Sequence, residues 1–376
     1  MFQRNFPHPQ GLPEVLSVHE RTGTPHTYTG RGVVMAFVDS GFFPHVEIAE
    51  RIRLYVDATT ERIREGVLPP STNPLNWHGQ MTSVIAAGDG RLSSGRYRGV
   101  AHGAELILVK VSNRRRQIKE ADILRGLLWV LRNAHHHDIR VVNVSVGGDA
   151  PDTDPRHPLH DAVRRLSDIG VTVLCAAGNR SEMAVLPPAS ADSAITVGGY
   201  DDRNSLERAR WTIMGGSFGV SDQGSQKPEV LAPAAWIASP IMPGTDMARE
   251  APWLVEMLKL PHGANAEFRR LARAANSDLH LMEQLMRGGD VSLQTLIQQR
   301  IDAHKLIDEA HQHVDGTSVA VAIASSLVAA LLEAEPGLMP AQVKARLMAS
   351  ASALPGVSSE RQGAGAMDGG KLLSAQ

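Results

Sequence analysis

Four residues stand where their chemistry could converge. Asp39 closes "GVVMAFVDSG" (32–41), a run so apolar that an ionised carboxylate is costly there unless something hydrogen-bonds or neutralises it. A histidine would serve, and His78 opens "HGQMTSVIAAGDG", at the exposed start of a helical pattern. Ser318 precedes "VAVAIASSLVAALL", which is too apolar all round to lie on a surface. A hydroxyl at the amino end of such a buried helix is rigidly held and sits in its positive field. Asn179 follows Gly178 at the end of another strand-like run. Alone, each has an ordinary reading: Asp-Ser-Gly after a strand is a turn, His beside Gly a surface histidine, Gly-Thr-Ser a helix cap. In the order Asp, His, Ser, with the Asn between, they suit a hydroxyl nucleophile served by an imidazole and a carboxylate.

The elements that must position these groups are legible as periodicity. "GVVMAFVDSG" is a continuous β-branched run of the kind buried on both faces of a sheet. "AELILVKV" (104–111), "IRVVNVSVGG" (139–148), "GVTVLCAAGN" (170–179) and "SAITVGGY" (193–200) repeat the pattern. Between them, "EADILRGLLWVLRNAHHHD" (120–138) and "HPLHDAVRRLSDIG" (157–170) read as helices. Strand and helix alternation predicts an α/β fold, a parallel sheet with helices on both faces. Ligands then bind beyond the carboxyl ends of the strands, where Asp39, the segment Ser145 to Gly148, and Gly178 with Asn179 all fall.

Composition narrows the partners. The 376 residues are 43% hydrophobic and 21% charged, enough to bury a sizeable core. Thirty-eight basic residues against forty acidic ones leave a formal charge of -2, so no global field argues for nucleic acid or a membrane surface. Cys175 is the only cysteine, within a strand-like run, and reads as a core thiol. The amino terminus lacks a basic segment followed by an apolar one, and a cytoplasmic protein is expected.

Taken in order, "TGRGVVMAFVDSG", "HGQMTSVIAAG", "YRGVAHGAELILVKV", "VVNVSVGG", "VLCAAGN", "GSQKPEVLAP" and "DGTSVAVAIASS" resemble the subtilisin-like serine proteases, or subtilases. The resemblance covers most of residues 28–240 and 314–355 and implies a subtilisin-like fold. It implies a proteolytic triad of Asp39, His78 and Ser318 acting on protein or peptide, with Asn179 as an oxyanion donor. Ser318 would attack the carbonyl, His78 would carry its proton, and Asp39 would orient the imidazole. The Asn179 side-chain N–H and the Ser318 backbone N–H would meet the developing charge, with Thr317 in support. Ser145, Val146, Gly147, Ala176, Ala177 and Gly178 would wall the pocket for the side chain before the scissile bond. Arg114, Arg115 and Arg116 follow the strand where the resemblance places a substrate-pairing edge, and either form a basic, solvated loop or favour acidic side chains on the amino side of the cut.

Departures from the family pattern are specific. Met81 stands where a second His is usual, and Val319-Ala320-Val321-Ala322 replaces Met-Ala-Thr-Pro. The usual calcium loop is not visible, "GDGRLSSGRYRG" (88–99) reading as a shortened crossing, and Glu47 reads as a solvated carboxylate. His135, His136 and His137 point in different directions, and His311 with His313 lacks a third ligand, so no metal or other cofactor is expected.

About 28 residues precede the first matching motif, a short extension (1–27) from which unaided folding is expected. Residues 241–313 interrupt the pattern with three helical stretches, 246–260, 265–287 and 291–313, expected to form a helical insertion beside the cleft that either gates large substrates or docks a regulatory protein, or is purely structural. The rival to an endopeptidase is a catalytically silent domain of the same fold that binds a partner.

Overall fold

The computed structural model describes residues 2–7, 14–113, 115–281 and 292–374. A nine-stranded sheet forms its centre. Its strands are β1 (Val34–Asp39), β2 (Ile52–Asp57), β3 (Arg64–Gly66), β4 (Glu105–Lys110), β5 (Ile139–Val144), β6 (Thr172–Ala176), β7 (Ile195–Asp201), β8 (Thr212–Ile213) and β11 (Val230–Pro233). The order is β11-β7-β6-β5-β1-β4-β2-β3, with β8 beside β7. Every pairing is parallel except those of the short strands β3 and β8. Two further antiparallel pairs lie outside it: β9 (Gly219–Val220) with β10 (Gln226–Lys227), and β12 (Ile237–Pro240) with β13 (His311–Val314).

β1 is central, and successive residues enter opposite apolar layers. Met35 and Phe37 join the layer containing α2 (Asn76–Ala87) and the helix Thr317–Ala334. Val34, Ala36 and Val38 join the layer built with α3 (Glu120–His137) and α4 (Pro158–Asp168). Burial on both faces is what the unbroken apolar run requires. Thr317–Ala334 is long and apolar enough to cross a membrane by composition, but it lies in the core, Val319 to Ala324 being wholly buried. Truncating Leu327, also wholly buried, to Ala would cost about 2–5 kcal/mol. Cys175 is buried in β6, and burial pushes its thiol up to about 12, which keeps it protonated and inert.

Residues 241–310 leave from β12 and return through β13. α5 (Asp246–Leu258), α6 (Asn265–Ala274), α7 (Asn276–Leu279) and the helix Leu293–His304 pack on a separate apolar cluster that includes Leu254, Phe268, Ile297 and Ile301. Two helical readings change. The stretch 265–287 breaks into α6 and α7, with 282–287 outside the described residues. The stretch 291–313 stops at His304, where Lys305 turns left-handed (φ 51°), and His311–Val314 is a strand paired with β12. Residues 2–7 fasten this unit: Phe2 packs on Phe268, and Asn5 Nδ2 donates to the Asp302 carbonyl (3.0 Å) while its Oδ1 meets His313 Nε2 (2.7 Å).

Candidate active site

The carboxyl end of β1 delivers Asp39 with no exposed surface, and three donors satisfy it. His78 Nδ1 lies 2.6 Å from Oδ1, the Ser40 N–H donates to the same oxygen (2.6 Å), and Thr82 Oγ1 donates to Oδ2 (2.9 Å). Thr82 is four residues beyond His78, on the same face of α2. α2 comes this close because residue 79 is glycine: a Cβ there would fall 2.1 Å from the Gly41 carbonyl oxygen.

An ionised Asp39 can only accept, so His78 Nδ1 carries the hydrogen and Nε2 keeps its lone pair. Burial disfavours the imidazolium, but the charge of Asp39 and its hydrogen bond outweigh burial and hold the His78 pKa above the ordinary histidine value.

Ser318 is the second residue of its helix, after Gly316 at φ 141°. Its side chain is partly exposed and makes no hydrogen bond among the described residues. The preceding Thr317 is bound to Asn179: the Thr317 N–H and hydroxyl both donate to Asn179 Oδ1 (2.8 and 3.0 Å), and Thr317 Oγ1 accepts the Gly178 N–H (3.2 Å). With Oδ1 so occupied, the Asn179 amide N–H₂ is the end left free to donate outward.

A cavity of about 470 Å³ opens beside these groups. Ser145, Val146 and Gly147 line one wall, Ala176, Ala177 and Gly178 another, with Asn179 and Ser318 in the same lining. The structure therefore brings together all six pocket residues read from the sequence. Asn143 ties this wall to the helix of Ser318: its Nδ2 donates to Ser145 Oγ (2.9 Å) and its Oδ1 accepts from Ser325 Oγ (3.0 Å). Asn143 and Thr82 escaped the sequence reading, although the spacing of Thr82 from His78 was a usable signal.

Arg115 lines a different, larger cavity of about 950 Å³. Arg116, exposed and left-handed (φ 62°), lines neither of the two, and Arg114 is outside the described residues. Glu47 is a correction: it is 2% exposed rather than solvated. It tucks beneath the 88–99 crossing, where its Oε1 accepts the Leu92 N–H (3.0 Å), and burial pushes its pKa up. His311 pairs with Asp308 (2.8 Å). Among the described residues no group of three or more His, Cys, Asp or Glu side chains is placed to hold a metal ion.

Comparison with known proteins converges on one family. Residues 30–365 match the Subtilase family description. The chain is 35% identical over 223 residues to serine protease AprX of Bacillus subtilis (strain 168), a match covering 57% of this chain but only 48% of AprX. It is 30% identical over 225 residues to subtilisin BL of Lederbergia lenta, covering 58% of this chain and 73% of that protein. Among solved structures, Sphericase superposes with a TM-score of 0.62 at 17% identity, covering 90% of both chains. Fervidolysin from Fervidobacterium pennivorans, a keratinolytic enzyme related to subtilisin, gives 0.63 at 17% identity over 96% of this chain and 45% of its own. At that identity the superpositions speak for the fold, and they agree with the mostly parallel sheet. With the family description matched along most of its length, this chain belongs to the subtilase family.

Proposed function

We propose that the chain is a serine endopeptidase that cleaves peptide bonds through an acyl-enzyme on Ser318. The observation that carries this reading is the 2.6 Å pairing of His78 Nδ1 with the buried Asp39, which leaves Nε2 as a base. His78 takes the Ser318 proton as the hydroxyl attacks the peptide carbonyl, then delivers it to the leaving amine. The Asn179 amide and the Ser318 backbone N–H stabilise the oxyanion. The 470 Å³ cavity takes the side chain next to the cut, and Leu186, Met183 and Ala184 in its lining favour an apolar one.

The helical insertion limits access or docks a regulatory protein. In support, a Cβ on Gly244, just past β12, would lie 2.8 Å from Thr72 in the segment leading to His78. The test of the whole reading is digestion of an unfolded protein with the product termini mapped. New termini formed by the wild type and absent with Ser318→Ala support it; equal cleavage by both proteins overturns it. For the insertion, replacing residues 244–309 by a Gly/Ser linker should raise hydrolysis of the unfolded protein relative to a small peptide ester, or abolish capture of a partner. If neither changes, the insertion is only structural.

A further inference from the structure

The larger cavity, of about 950 Å³, holds Arg115, the arginine for which an acidic preference was expected, but it is not part of the proposed catalytic machinery. It lies on the other side of Asp39 from the 470 Å³ one. Lys110, in its lining, is the register partner of Asp39 on the neighbouring strand β4, and Asn76, also in the lining, is two residues before His78. Cavities flanking the triad on both sides of β1 are positioned to take different side chains of one extended peptide.

Its charge is one-sided. Arg62, Arg64, Lys110, Arg115 and Lys119 line it, against the two carboxylates of Asp57 and Glu65. Both carboxylates are already engaged. Asp57 accepts from Arg64 (2.9 Å) and from the Thr59 hydroxyl (2.5 Å), and Glu65 accepts from Trp129 Nε1 (2.6 Å). Lys110 is the register partner of Asp57 and its charge also acts on that carboxylate, whereas Arg62, Arg115 and Lys119 have no ion-pair partner among the described residues. In a chain whose formal charge is -2, three uncommitted cations around one concavity, beside Lys110 and Arg64, are a local feature. Phe42, Tyr55 and Leu68 give the same cavity apolar surface against which a side-chain stem can lie.

We propose that this cavity is a specificity subsite for a carboxylate, so that the preferred substrate is a peptide carrying Glu or Asp within a few residues of the scissile bond. The proposal rests on the endopeptidase reading for its substrate, but the recognition itself is electrostatic and independent of Ser318. Several cations converging on one carboxylate act together where a single exposed pair would contribute little.

The probe is a labelled, neutral octapeptide set in which one Gln is replaced by Glu at each position in turn. The set is bound to Ser318→Ala protein and, separately, turned over by the wild type. At one position or more, Glu should outperform Gln by roughly tenfold in both assays, and the advantage should collapse near 1 M salt. In Arg115→Glu and in Lys119→Glu, both at exposed positions, the Glu/Gln ratio should fall to parity or invert. The ratio within each variant is the readout, so a change in overall rate does not confuse it. Parity of Glu and Gln at every position, or a ratio unchanged in both variants, overturns the subsite; if neutral peptides are still cleaved, the endopeptidase reading survives. Selective binding without any turnover overturns the endopeptidase reading and leaves the subsite standing.

Discussion

Thr317 sets the direction of Asn179. Its backbone N–H and its hydroxyl both donate to Asn179 Oδ1, at 2.8 and 3.0 Å, so the amide of an otherwise exposed side chain is held with its N–H₂ end free. On the proposed mechanism, the residue beside Ser318 thus orients the group that would meet the oxyanion. Asn179→Ala should lower kcat by about 10²–10³ with little change in KM, a size taken from subtilisin rather than derived from this geometry. Thr317→Val, which keeps the N–H and loses the hydroxyl, should lower kcat by roughly tenfold with KM unchanged, and Thr317→Ser should restore it. Loss confined to KM would make Asn179 a substrate-binding group instead.

Asp39 holds the His78 pKa up against burial, and a general base must be neutral to work. The acid limb of kcat/KM therefore reports this pKa. In Asp39→Asn the raising charge is gone while burial remains, so the acid limb should move to lower pH, and turnover should fall by about 10⁴. An unmoved limb would show that another group controls the profile.

Thr82 and Asn143 are buried connectors. Thr82→Val removes a donor from a wholly buried carboxylate and should destabilise the fold by about 1–3 kcal/mol, with Thr82→Ser recovering most of it. Asn143→Leu severs the link from Ser325 to Ser145 and should raise KM for the residue held in the 470 Å³ cavity more than it lowers kcat. Denaturant titrations and steady-state kinetics separate the two effects.

Glu47 gives a stability prediction whose sign follows from burial. Its folded pKa is raised above the ordinary glutamate value, so it favours folding at acidic pH and loses that contribution as pH rises through the folded pKa. Glu47→Gln should therefore be more stable than the wild type near pH 8, with the difference fading below about pH 4. An advantage equal at both ends in denaturant unfolding would assign the effect to packing.

What the sequence disclosed follows from how local each signal was. β1 was readable because six consecutive buried residues leave an unbroken apolar run, and Ser318 because the helix after it has no polar face. β2 went unread: it is half-exposed, and Arg53 interrupts its apolar residues. The helical reading of 291–313 ran too far because Leu306 and Ile307 continue the apolar spacing past Lys305, and because β13 is a strand only through its partner β12, far earlier in the chain. Glu47 misled for the same reason, since the crossing that covers it is distant in sequence. Asp39, His78, Asn179 and Ser318 were readable as an ordered set, whereas Thr82 and Asn143 matter only through partners that no local pattern names.

The central claim is that Ser318 is the activated nucleophile, and a fluorophosphonate probe tests it most directly. Intact mass and peptide mapping should show one adduct, on Ser318, formed by the folded wild type. Labelling should be abolished in Ser318→Ala and slowed by about 10⁴ in His78→Ala, and the turnover loss of the double variant should little exceed that of either single one, because the residues act as a unit. A folded wild-type chain that never labels, or a label that persists in Ser318→Ala, would contradict the account.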